Sequence, residues 1–109
     1  MSSREHAPRP PCLNEQQLRE FVCRACERGF YKEGFHSEYE RAYRNISPDD
    51  IVYGLERTDW VLCEEPNYDE KFESWEYLIQ TWDIEGEELH LKIAVNPEYQ
   101  RFEVITKWK

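Results

Sequence analysis

Five side chains of this sequence have the chemistry to act on a phosphate-bearing substrate: His36, Arg41, Arg44, Tyr77 and Lys107. The imidazole of His36 titrates near neutral pH, so it can act as a general base or a general acid. The guanidinium group of Arg41 or Arg44 can hold a phosphate through two parallel hydrogen bonds. Tyr77 and Lys107, together with Lys92, are expected to project from strands, where they can complete the site.

Each of these side chains also has an ordinary structural role open to it. His36 stands where a helix can begin, so it can cap that helix or remain on the surface. Arg44 can form an ion pair with the two aspartates that follow it in the next helix. Tyr77 can pack in the core or across neighbouring strands, and Lys107 can protect an edge strand from unwanted pairing.

The cysteines offer a different possibility, which is a zinc site. Cys12, Cys23, Cys26 and His36 would form a ligand set of three thiolates and one imidazole. Cys23 and Cys26 fall inside a predicted helix, whereas a reactive Cys-x-x-Cys pair usually lies at a helix N-terminus. Ordinary free thiols are the alternative, and we expect neither a metal nor another cofactor.

A helix is predicted to begin at Asn14, because Gln17 three residues later can complete a capping box. Its apolar stripe has helical spacing and consists of Leu18, Phe21, Val22, Ala25 and Cys26. Gly29 is a natural stop for this helix.

Two further helical segments are predicted before the middle of the chain. The first is short and covers residues 36–45. The second begins at Ser47, which can cap the helix while Pro48 occupies its first turn. This helix is expected to end near Arg57.

The second half of the chain has the alternation of β-strands. Strands are predicted at 60–63, 75–84, 89–95 and 102–108, with a loop at 66–70 and a hairpin turn at Glu85-Gly86-Glu87. Thr106 is expected to share a face with Val104, and His90 is expected to lie beside Lys92 on the face opposite the core. Helices followed by an antiparallel meander predict an α+β fold, with two or three N-terminal helices packed on about four strands.

The length of 109 residues allows one domain with one core. We expect residues 1–13, which contain three prolines, to form a flexible arm and residues 14–109 to form a single domain. No apolar run approaches the roughly 20 residues that span a bilayer, and the first six residues lack an apolar signal core. We therefore expect no membrane contact and a cytoplasmic location.

Acidic charge is concentrated in the middle of the chain. The net charge is −9, and residues 49–88 alone hold 14 acidic and 2 basic side chains. Phosphate contacts need lysine and arginine, so this balance does not favour nucleic-acid binding. It suits a surface for a basic partner, and an acidic, non-catalytic binding protein of the antitoxin or immunity type is one hypothesis.

The stretch from His36 to Ile51 resembles the signature of a family of small domains that is similar to the RelE-like toxins, including the BrnT type. That signature runs His-Ala-x-x-Arg and then Arg-Gly-Ile-Ser-x-x-Asp-Val. The matching residues are His36, Arg44, Ile46, Ser47, Asp50 and Ile51. Glu40 stands where the family has its first arginine, and Asn45 stands where it has glycine.

The second half resembles the MqsR-like toxins of the same superfamily. The similar segments are Gly54-Leu55, Asp59-Trp60, Trp75, Leu91-Lys92-Ile93 and Val104-Ile105-Thr106-Lys107. Such toxins are metal-independent endoribonucleases that cut mRNA, often on the ribosome, and each is neutralised by an antitoxin. The resemblance therefore implies a RelE-like fold, an RNA substrate and an antitoxin-like protein partner.

Overall fold

The computed structural model describes residues 9–29 and 46–109, together with the backbone of residues 31–33. The elements in chain order are α1 (Glu15–Arg28), β1 (Tyr31–Glu33), α2 (Pro48–Glu56), β2 (Val61–Leu62), β3 (Asn67–Asp69), β4 (Ser74–Trp82), β5 (Glu88–Val95) and β6 (Phe102–Trp108). Helices near the N-terminus and a largely antiparallel sheet confirm the predicted α+β class. The helix predicted over 36–45 lies outside the described residues, and so do His36, Arg41 and Arg44.

Both described helices begin at capping boxes; the sequence predicts the box of α1 and the capping role of Ser47 in α2. The Asn14 carboxamide oxygen accepts from the Gln17 amide at 2.8 Å, and Gln17 accepts in return from the Asn14 amide at 2.9 Å. Ser47 and Asp50 form the same reciprocal pair at the start of α2. Gly29 ends α1 in the left-handed conformation with φ 71°, which costs glycine little.

The six strands form one sheet in the order β1-β6-β5-β4-β2, and β3 also pairs with β4. The helices cover one face of this sheet. The core on that face includes Leu18, Val22, Ile51, Leu55, Trp60, Tyr77, Ile79, Leu89, Leu91, Ile93, Val95, Phe102 and Val104. We call this side the covered face and the other side the open face.

Two strands differ from the sequence prediction. Residues 66–70 were predicted as a loop, but Asn67–Asp69 pair with β4 as β3. The residue types of this segment favour a turn, and the strand forms because the segment pairs with β4. The centroid of the Tyr68 ring lies 5.0 Å from that of its partner Trp75. The three-residue strand β1 was also not predicted, and it pairs in parallel with β6.

An irregularity in the pairing of β5 with β6 changes which side chains of β6 are buried. The register shifts beside Ile93, so that Val104 faces Ile93 but Lys107 faces Leu91. Thr106 therefore lies opposite Lys92 on the open face, and the prediction that it shares a face with Val104 was wrong. A bulge of this kind reverses the facing of every later residue in the strand.

Helix α2 packs closely on β4 at Gly54. A Cβ atom at this position would lie 2.7 Å from Thr81 Cγ2 and 3.2 Å from the Trp82 carbonyl oxygen. The Thr81 hydroxyl also donates to the Gly54 carbonyl oxygen at 2.7 Å. The glycine is therefore needed for close packing of helix on strand, although it weakens the helix itself.

We expect Gly54→Ala to lower the free energy of unfolding by about 1–2 kcal/mol, because overpacking outweighs the gain in helix propensity. Thr81→Ser removes the contacting methyl group and keeps the hydroxyl. Urea unfolding of the two single variants and the double variant measures the coupling. If the contact is real, the double variant loses less unfolding free energy than the two single variants lose together. A loss equal to or larger than that sum would contradict the contact.

Candidate functional site

Lys107 is a cation on the covered face of the sheet. Its side chain is 8% exposed, and its Cα partner across the sheet is Leu91. On the other side of β6, strand β1 runs parallel and ends with Glu33 beside Val104. His36 follows Glu33 by three residues, and Lys107 follows Val104 by three residues. His36, Arg41 and Arg44 lie outside the described residues, so Lys107 and Tyr77 are the predicted site residues that the structure describes.

Tyr77 is also on the covered face, but its hydroxyl group has structural partners. The residue is 1% exposed. Its hydroxyl oxygen accepts from the Leu13 amide at 2.9 Å and donates to the Leu13 carbonyl oxygen at 3.1 Å. Burial raises the pKa of this phenol, and the hydrogen bond with the Cys12 thiol acts in the same direction. Tyr77 thus anchors the segment before α1, and β5 separates its strand from that of Lys107.

We expect Tyr77→Phe to lower the free energy of unfolding by about 1–2 kcal/mol, because it leaves the Leu13 backbone groups without their partner. The measurement is urea unfolding followed by tryptophan fluorescence. Tyr99→Phe is the matched control, since the Tyr99 side chain is exposed. Equal stability of wild type and Tyr77→Phe would contradict the anchoring role.

The four cysteines are free thiols, and burial raises the pKa of Cys23, Cys26 and Cys63. Burial, followed by the charge of Glu56, raises the pKa of the Cys26 thiol to about 12. Thiols protonated at neutral pH are poor nucleophiles and must lose a proton before they bind a metal.

Within the described part of the chain, the groups close enough to share a metal ion are the carboxylates of Asp83, Glu85 and Glu87. The Cys12, Cys23 and Cys26 sulfurs do not form such a group, and their fourth predicted ligand, His36, lies outside the described residues. The ammonium group of Lys109 lies 2.8 Å from Asp83 and 2.7 Å from Glu87. A lysine from the end of β6 therefore already neutralises this acidic turn.

The open face carries polar and aromatic side chains from the three long strands. His90 stacks on Trp108 with ring centroids 5.2 Å apart and planes 7° from parallel. Lys92 is the next residue of β5 on this face after His90, and its ammonium group lies 3.7 Å from the Glu76 carboxylate. Both His90 and Lys92 lie on the face opposite the core, as the sequence predicts.

A cavity of about 570 Å³ opens at one end of this face. Its lining comprises Asp69, Phe72, Ser74, Glu76, Ala94, Asn96, Tyr99, Arg101, Phe102, Glu103 and Ile105. Sequence reasoning missed this cavity because its walls come from two turns far apart in the chain. The available signal was an aromatic residue in each turn, Phe72 and Tyr99, where turns are usually polar.

Comparison with protein-family models, with curated proteins and with solved structures found no match for this chain. Among the described residues, neither helix has the length and apolar character that crossing a membrane requires. The function must therefore be argued from the geometry together with the resemblance in the sequence.

Proposed function

We propose that this chain is a RelE/MqsR-like toxin-type domain that cleaves RNA without a metal ion. The proposed site combines Lys107 of β6 with His36, Arg41 and Arg44, which follow β1 in the sequence. The observation that carries the proposal is Lys107, which is 8% exposed on the covered face of β6. Strand β6 pairs in parallel with β1, whose last residue precedes His36 by three positions in the sequence. The resemblance of residues 36–51 to the toxin signature supports the same set of side chains.

The chemistry needs a base, cations and a proton for the leaving group. His36 takes the proton from the ribose 2′-hydroxyl, and the 2′-oxygen attacks the adjacent phosphorus atom. The bond from phosphorus to the 5′-oxygen breaks, and that oxygen receives a proton from water or from a protonated side chain. Lys107 and one of the two arginines stabilise the charge that develops on the phosphate oxygens.

The test is incubation of the wild-type protein with mRNA, with and without ribosomes. We expect cleaved RNA with 2′,3′-cyclic phosphate ends, and a loss of rate of about 100-fold or more for His36→Ala, as for removal of a general base. Arg44→Ala tests the phosphate contact. His90→Ala is the matched control, because His90 lies on the open face.

Wild-type protein that leaves RNA intact under both conditions would contradict the catalytic proposal. Cleavage that persists equally in His36→Ala and Arg44→Ala would contradict it as well, since a contaminating nuclease would then account for the activity.

A second candidate function is a non-catalytic domain that binds a basic partner. The observation that favours it is the density of acid, with 14 acidic and 2 basic side chains over residues 49–88. A domain of this kind would retain the scaffold and bind a protein without acting on RNA. Inactive wild-type protein that still captures a basic polypeptide is the result that distinguishes it.

A further inference from the structure

The cavity on the open face is a candidate binding site apart from the proposed catalytic residues. It lies among the turn after β3, the end of β5 and the start of β6. Lys107 faces the other side of the sheet. The site therefore does not depend on whether the chain cleaves RNA.

Two exposed rings form part of its walls. Phe72 is 68% exposed and Tyr99 is 58% exposed, although both are large side chains that folding normally buries. Exposed aromatic residues that line one concave surface are typical of binding sites. The Lys71 ammonium group lies 5.4 Å from the centroid of the Phe72 ring, so this ring already accepts a cation.

Side-chain hydrogen bonds hold the two turns in place. Asp69 accepts from the backbone amides of Lys71 and Phe72 at 2.9 and 3.3 Å, which fixes the turn after β3. Asn96 is 6% exposed and donates to the Glu73 carbonyl oxygen at 2.7 Å. The Asn96 side-chain oxygen also accepts from the Glu98 amide at 2.9 Å, in the turn that carries Tyr99. Asn96 therefore connects the two turns that form the walls of the cavity. The site is formed before any ligand arrives.

The lining is acidic. Its charged members are Asp69, Glu76, Glu103 and Arg101, so carboxylates outnumber the cation. Loss of solvent and then the charges of Glu73, Glu70 and Glu98 raise the pKa of the nearby Tyr68, and the Arg9 guanidinium, 4.6 Å from the centroid of its ring, acts against them. An incoming anion would be repelled here, and an incoming cation attracted.

We propose that this cavity binds an arginine side chain of a basic, extended segment of a partner protein. Carboxylates match a guanidinium group through paired hydrogen bonds, and the faces of Phe72 and Tyr99 can stack on its plane. A volume of about 570 Å³ accommodates one such side chain and the adjoining backbone.

The test uses an acetylated and amidated peptide, Gly-Arg-Gly-Arg-Gly-Arg-Gly, titrated into the isotopically labelled full chain at low ionic strength. We expect amide shifts at the lining residues and saturable binding. The same peptide with citrulline in place of arginine keeps the shape and removes the charge, and it should not bind. Phe72→Ala and Tyr99→Ala should each weaken binding about fivefold to tenfold, whereas Tyr53→Ala, an exposed aromatic on α2, should not.

Absence of binding to wild type would overturn the proposal. Shifts spread over all acidic surfaces, with equal affinity in Phe72→Ala and Tyr53→Ala, would overturn it too, because they indicate non-specific attraction. Binding of a single-stranded RNA oligonucleotide in this cavity in place of the peptide would also contradict it. RNA cleavage, or its absence, leaves each of these results unchanged, so the two proposals fail separately.

Discussion

Replacing Trp60 by alanine is expected to lower the free energy of unfolding by about 3–5 kcal/mol, the usual cost of removing a buried aromatic side chain. Trp60 is 0% exposed, and its indole nitrogen donates to the Leu55 carbonyl oxygen at 3.1 Å. The guanidinium carbon of Arg19 lies 4.1 Å from the centroid of its ring. The residue thus joins α1, the end of α2 and the start of β2, and a loss of this size is a large share of the stability of a small domain.

Denaturant unfolding followed by far-UV circular dichroism measures this effect. Trp108→Ala is the matched control, because Trp108 is partly exposed and stacks on His90 on the open face. The free energy of unfolding of Trp60→Phe should lie between those of wild type and Trp60→Ala. This variant keeps the comparison possible if the alanine variant does not fold. Equal losses for Trp60→Ala and Trp108→Ala would contradict the assigned core.

Asp83→Asn is expected to lower the free energy of unfolding at neutral pH by about 2–3 kcal/mol, the range for losing a charged hydrogen bond. Asp83 is 1% exposed, and its carboxylate accepts from the Glu85 amide at 3.0 Å and the Glu87 amide at 2.8 Å. Burial alone would raise its pKa, but the Lys109 ammonium and these amides hold the pKa below the usual range. Asparagine cannot form the ion pair, and if its carboxamide oxygen keeps the two backbone amides, its NH2 group turns toward the Lys109 ammonium group.

The direction of the pH dependence follows from this lowered pKa. Asp83 contributes stability above its unfolded pKa of about 3.9, and that contribution is lost as the pH falls through the lower folded value. Thermal unfolding between neutral and strongly acidic pH should therefore show a shallower loss of stability in Asp83→Asn than in wild type. Glu64→Gln, which changes an exposed carboxylate, is the control. The same loss of thermal stability with falling pH in wild type and in Asp83→Asn would contradict the account.

The parts of the fold that depend on local chemistry could be predicted from the sequence. Asn14 with Gln17, and Ser47 with Asp50, specify helix starts through contacts three residues apart, and the structure has both. Gly86 marks the hairpin between β4 and β5, with φ 87°. Such features need no knowledge of the rest of the chain.

The parts that depend on distant partners could not be predicted. Strand β3 exists because Tyr68 and its neighbours pair with β4, and their own residue types favour a turn. The bulge buries Lys107 in place of Thr106, and the alternation of residue types along β6 does not indicate it. The cavity joins Phe72 with Tyr99, whose turns are brought together by the meander and by Asn96.

The two faces of the sheet have different roles in this account. The covered face holds the core and Lys107, around which we propose that the catalytic set assembles. The open face holds the acidic cavity, where the same charge that disfavours RNA favours a basic segment. The two proposals together, a toxin-type domain and a binding site for a basic protein on the opposite side of its sheet, would reconcile the resemblance with a net charge of −9.

The central claim is that His36 and Lys107 lie together, and NMR titration of the His36 imidazole in wild type and in Lys107→Met tests it most directly. An adjacent ammonium group disfavours the imidazolium, so removing it should raise the titration midpoint of His36 by about half a pH unit or more. His36→Gln assigns the signal, and Lys109→Met, which removes the cation that follows β6 and contacts Asp83 and Glu87, should leave the midpoint of His36 unchanged. An unchanged His36 midpoint in folded Lys107→Met protein would contradict the claim.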